Sequence, residues 1–170
     1  MLKYIYISLL NVLFISFFNF NLASNNIEKI QIIKDNYFID SIKLINYKEK
    51  TSLLKEKEAR FYILNFWASW CVPCIKEMKS LNSLQRKEKN LRVITISQDR
   101  DIKDTKAFFD KNKYKNLEKY FDKDKKIISM FSIRGIPTTF IANKDFEVFA
   151  KVEGIIEWDS RGFIKWLKSN

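Results

Sequence analysis

Residues 66–77 read FWASWCVPCIKE, and they hold both cysteines of a chain that has no histidine. Two thiols with only Val72 and Pro73 between them can ligate a soft metal, close a small loop or exchange electrons as a pair. A structural zinc site needs four ligands, and two cysteines without histidine supply half of one. A disulfide kept for stability gains most when it closes a long loop, and two intervening residues restrict the unfolded chain little. Redox exchange suits the spacing better. One thiolate attacks a partner's disulfide, and the second thiol resolves the mixed disulfide that results.

Such chemistry requires that one thiol be activated and the other shielded. Pro73 is suited to a first helical turn, where its missing N–H costs nothing, and Ile75, Met78, Leu81 and Leu84 recur at helical spacing. The pattern predicts a helix from Pro73 to about Lys89. Unpaired N–H groups and the positive end of the helix dipole favour thiolate, bringing a cysteine from about 8.5 down to roughly 3.5–7.5. Cys71, just before the helix, is then the exposed nucleophile, and Cys74, one turn in, the shielded partner. Glu77 follows Cys74 by three residues, one helical turn. It reads either as a solvated carboxylate or, if buried with a raised pKa, as the acceptor of the Cys74 proton.

The surrounding pattern predicts the elements that hold these residues. FYILNFWA (61–68) is a continuous apolar run, the mark of a strand buried on both faces, and the thiols stand at its end. LRVITIS (91–97) predicts the next strand, and Asp99 or Asp101 caps a helix carrying Ala107, Phe108 and Phe109. KIISMFSI (126–133) predicts a short helix ended by Gly135 and Pro137. TTFIAN and EVFAKVEG predict a hairpin turning at KDF, and Asp159 or Ser160 opens a last helix through Trp166 and Leu167. YFIDSIKLIN (37–46) alternates like an N-terminal hairpin or cover strand. The sum is an α/β layer arrangement, a central mixed sheet flanked by helices.

A length of 170 residues, 46% apolar and 30% charged, fits one globular domain, read as residues 25–170. The net charge of +11 is spread among acids, as in KEKTSLLKEKEAR, so it reads as a solvated surface and not as a nucleic-acid face. Residues 1–24 begin with Lys3 ahead of an apolar stretch that ends in small residues. They read as a cleavable signal peptide or a retained membrane anchor, and both readings place the rest of the chain outside the cytoplasm, where disulfides persist.

NFWASWCVPCIKEM after a buried strand, with RGIPT far downstream, resembles the thioredoxin superfamily. Within it the chain is most similar to the exported branch of TlpA, ResA and CcmG (DsbE), TlpA above all, and GIIEWDS (154–160) resembles a late stretch of TlpA. The resemblance implies a thioredoxin-like fold with an N-terminal strand or hairpin extension and an inserted helix-strand element. It implies a thiol:disulfide oxidoreductase with a redox-active Cys71–Cys74 disulfide, no cofactor and no metal. Pro137 would be a cis-proline facing the thiols; read from local sequence alone, it merely starts a strand. Trp70, Val72, Pro73 and Ile136 would meet the substrate, Trp70 at the rim or simply packed, whereas Trp67 reads as core. Asn65 stands where plain thioredoxin has a buried acid, which shifts the proton acceptor to Glu77. Lys79 stands where the family has a helix-kinking proline, so a straighter helix is expected.

The implied function is reduction of disulfides in exported clients, apocytochrome c or copper-site proteins, by a monomer at the extracytoplasmic or periplasmic face of the inner membrane. A membrane thiol reductant of the CcdA or DsbD kind would recharge it. Three alternatives are weighed: an oxidase or isomerase of the DsbA or DsbC type, a Cu(I)-binding chaperone, and a non-catalytic interaction module that kept the fold, against which the intact Cys-Val-Pro-Cys and Gly-Ile-Pro-Thr motifs argue.

Overall fold

The computed structural model describes residues 27–34, 37–46, 48–56 and 58–170; the leader expected over 1–24 lies outside the described residues. The fold is organised around the apolar run predicted to be a buried strand. Strand β4 (Phe61–Trp67) is buried at every position and lies between β5 (Leu91–Ser97), parallel to it, and β7 (Thr138–Asn143), antiparallel. Period-two alternation sends Phe61, Ile63 and Trp67 to one face and Tyr62, Leu64 and Phe66 to the other, so a strand covered on both sides needs apolar residues throughout. Asn65 falls on the face of Ile63 and Trp67, and it is the one polar residue of that strand.

Strands β1 (Ile30–Ile32), β2 (Lys43–Asn46), β3 (Thr51–Leu53), β6 (Glu118–Phe121) and β8 (Val148–Glu153) complete the sheet, in the order β1-β8-β7-β4-β5-β6-β2-β3. Helix α1 (Val72–Lys87) follows β4, α2 (Ile102–Asn112) follows β5 and α3 (Arg161–Ser169) ends the chain. All three send side chains into the core on the Trp67 face: Met78, Leu81 and Leu84 from α1, Phe109 from α2, Phe163 and Leu167 from α3. The opposite face is covered by N-terminal residues Ile39, Ile42, Leu44 and Leu54, together with Ile127 and Phe131.

The short helix predicted over 126–133 is a single 3-10 turn, Ile128–Met130, with another, Lys123–Lys125, just before it. The reason lies in Asp122, whose two carboxylate oxygens accept the N–H groups of Ile127 and Ile128, both at 2.8 Å, and pin the segment as a turn. Asp101 caps α2 by accepting from the Lys103 N–H, and Ser160 caps α3 by accepting from Phe163. Of 37–46 only Lys43–Asn46 forms a strand; it makes a hairpin with β3 and pairs with β6, while Phe38 makes one isolated bridge to Glu147. The hairpin predicted at KDF joins β7 to β8, with the Asn143 side chain accepting from Asp145 and Glu147. Helix α1 runs unbroken past Lys79, and β6 with α2 supplies the inserted helix and strand.

Candidate active site

β4 ends at Trp67, and a tight turn in which the Cys71 N–H donates to the Ala68 carbonyl delivers the chain into α1. Cys71 is the residue before the helix, and its Sγ accepts from the Cys74 N–H at 3.3 Å. A sulfur so placed receives the orphan donors of a helix start, the environment that stabilises thiolate. Here Cys71 and Cys74 form a disulfide with Sγ–Sγ 2.08 Å. Cys74 is wholly covered. Cys71 keeps only 5% of its surface open, against the expectation of an exposed thiol: it packs in the core cluster, its sulfur is bonded to Cys74, and that sulfur lies 3.7 Å from the Ile136 carbonyl oxygen.

That contact brings in the second motif. The Ile136–Pro137 bond is cis, and Pro137 is buried at the head of β7, next in the chain to the Ile136 carbonyl that meets Cys71 Sγ. The rim around Cys71 is apolar and open: Trp70 is 67% exposed and Val72 62%, while Pro73 is exposed and Ile136 half-buried. Trp67 is in the core, against Phe108 and Phe109.

Beneath the thiols lies a polar cluster. Glu77 is 1% exposed, and its two oxygens accept from Asn65 Nδ2 and from Trp158 Nε1, both at 2.8 Å. Burial pushes its pKa from the ordinary 4.5 up to about 7, against the two N–H donors, which pull it down. Asn65 Nδ2 also donates to Thr139 Oγ1 at 2.9 Å, as the pairing of Asn65 with Thr139 across β4 and β7 permits.

Comparison with known proteins agrees with this geometry. The profile of the thioredoxin-like family matches residues 59–148. The thiol-disulfide oxidoreductase ResA of Bacillus cereus is 34% identical over 131 residues, covering 75% of this chain and 72% of the relative. The chain belongs to the thioredoxin-like family. It is a thiol:disulfide oxidoreductase of the ResA/CcmG-like branch. The thioredoxin-like protein YneN of Bacillus subtilis is 26% identical and is matched over 86% of its length. In fold the chain is similar to the exposed lipoprotein thioredoxin Etrx1 of Streptococcus pneumoniae, with a TM-score of 0.66 at 22% identity, covering 80% of this chain and all of the other.

In a thioredoxin-like oxidoreductase the arrangement has the parts for thiol exchange: a sulfur at a helix start, a covered second sulfur, and a buried carboxyl whose proton affinity lies near neutrality. Among the described residues no group of three or more Cys, Asp or Glu side chains comes together as a metal-binding set. Trp158 and Thr139 escaped the sequence reading. The stretch GIIEWDS carries Trp158 and stood out by resemblance, but nothing in its spacing ties an indole to a helix eighty residues earlier. Asp99, expected as a helix cap, is instead a buried anchor for the loop before Cys71. It accepts from the Ser69 N–H and hydroxyl and from the hydroxyls of Ser97 and Thr105, at 2.7–2.9 Å.

Proposed function

We propose that this protein is an extracytoplasmic reductant of disulfides in exported clients. The observation that carries the reading is Glu77, buried one turn below Cys74 with a pKa of about 7. The Cys71 thiolate attacks a client disulfide, forming a mixed disulfide and releasing one client thiolate. Cys74 gives its proton to the Glu77 carboxylate, and the new Cys74 thiolate attacks Cys71 Sγ. The client leaves as a dithiol, and the protein keeps the disulfide. An extended client segment lies along Ile136 and Pro137, with Trp70, Val72 and Pro73 as its apolar floor.

Clients of this kind are the haem-binding cysteines of apocytochrome c or the cysteines of copper-site proteins for respiratory oxidases. The N-terminal 24 residues export the chain and, if retained, hold it at the membrane. There a thiol carrier of the CcdA or DsbD kind returns the electron pair to this monomer. The test is the reduction potential of the full-length protein, equilibrated against dithiothreitol or glutathione buffers and read by thiol trapping. A value near or below about −270 mV is expected of a dedicated reductant. A value near about −120 mV would make the protein an oxidant and overturn the reading.

A further inference from the structure

We propose that the Asn65 side chain is a reversing amide linked to the proton on Glu77: it donates Nδ2–H while that carboxylate is ionised and turns to accept through Oδ1 once the carboxyl is neutral. The inference rests on the reading in which Glu77 takes the Cys74 proton, and it adds what must happen next to that proton.

Both partners of the carboxyl are donors in the oxidised protein. Trp158 Nε1 sits on Oε2 and Asn65 Nδ2 on Oε1. Two donors suit an ionised carboxylate, which only accepts. When a proton arrives, the new O–H needs an acceptor, and an indole N–H is a donor only. Trp158 therefore leaves Oε2 unsuited to the proton, and Oε1, facing Asn65, takes it. The acceptor at hand is Asn65 Oδ1, a buried oxygen that has no hydrogen-bond partner in this structure.

The surroundings permit the turn. Asn65 is held by the β4–β7 ladder opposite Thr139, so the backbone stays fixed and only the terminal amide rotates. The Thr139 hydroxyl accepts from Nδ2 now and can donate to Oδ1 afterwards, since a hydroxyl does both. One amide atom lacks a partner in either orientation, Oδ1 before and Nδ2 after. Neither orientation is locked, and the proton on Glu77 decides between them.

Charge elsewhere does not override this. Burial and the two N–H donors set the proton affinity of Glu77. On its own helix Cys74 shares its face, while Lys76 and Lys79 are exposed to solvent. Glu157 and Asp159 flank Trp158; Glu157 is exposed and Asp159 is paired with Lys87 at 2.9 Å. Thr139 and Asn65, from β7 and β4, carry no charge.

The experiment is NMR on the oxidised full-length chain, with 15N-labelled Asn and 13C-labelled Glu, from pH 5 to 9. The Glu77 carboxyl carbon should titrate, and the contact between the Asn65 amide protons and Thr139 should weaken at least threefold toward low pH with the same midpoint. Glu77→Gln should show the low-pH pattern at both ends, because Trp158 fixes the glutamine oxygen and so aims its NH2 at Asn65 Oδ1. A Glu77 that titrates beside an unchanging Asn65 contact, or a Glu77→Gln protein with the high-pH pattern, makes Asn65 a fixed donor. Either result overturns the inference and leaves Glu77 as the proton acceptor. A Glu77 carbon that does not titrate from pH 5 to 9 overturns both.

Discussion

At the scale of single residues, a buried glutamate that ionises near neutrality has a cost that can be measured. Its folded-state pKa, about 7, lies above the ordinary 4.5, so its stabilising contribution is complete below pH 4.5 and is lost as pH rises through 7. The difference amounts to about 3 kcal/mol against folding at alkaline pH. Glu77→Gln removes the titration and keeps an acceptor for Trp158. Guanidinium unfolding of the two oxidised proteins should show the variant gaining about 3 kcal/mol relative to the parent between pH 4 and 9. A pH-independent difference would mean that Glu77 is not buried with this pKa. Activity should move the other way. Resolution by Cys74 should speed up through about pH 7 in the parent, and Glu77→Gln should lose roughly 100-fold or more of it, the usual scale of a general base. Trp158→Phe deletes one of two donors to the carboxylate, and a hydrogen bond to a charged group is worth about 1.5–3 kcal/mol. The midpoint of the pH–rate profile should rise by about one unit or more.

At the scale of elements, the start of α1 is built by tying a loop down as well as by helix propensity. Asp99 collects four donors from Ser69, Ser97 and Thr105, joining the loop before Cys71 to β5 and α2. Asp99→Ala leaves those donors unpaired in the interior and should cost about 3 kcal/mol in denaturant unfolding. Asp101→Ala, two residues on, removes only the cap of α2 and should cost about 1 kcal/mol. Equal losses would contradict the separate roles of the two acids. The sequence reading offered both as caps, since an Asp before a helix looks the same whether its partners are local or distant. What it could read was local: the continuous apolar run of β4, the apolar residues every three positions along α1 and the β7–β8 hairpin all declare themselves through burial of neighbours in the chain. What it could not read was non-local. β6 is four residues, EKYF, inside a charged run, and its strand character comes from β5 and β2 on either side. The 3-10 turns after it follow from the Asp122 carboxylate and not from the apolar pattern of KIISMFSI. The thiol pair and the place of Glu77 one turn after Cys74 are local in the sequence; the hydrogen-bond partners of Glu77 come from β4 and from the lead-in to α3.

At the scale of the whole molecule, the polar site lies inside the same core that holds all three helices to the sheet. Phe163 of α3 is fully buried and meets Trp158 edge-on, with ring centroids 5.1 Å apart and planes at 86°. The C-terminal helix therefore backs the indole that donates to Glu77, and packing and proton affinity share a support. Phe163→Ala should cost about 3–5 kcal/mol of stability, the usual range for emptying a buried aromatic site. It should also raise the midpoint of the Cys74 resolution step, in the same direction as Trp158→Phe and by less, because a slackened indole still donates part of the time. Lys165→Ala, on the exposed side of the same helix, should leave both quantities nearly unchanged. If Phe163→Ala lowers stability while the midpoint stays in place, the C-terminal helix supports the fold alone, and Trp158 is held in position by its own backbone.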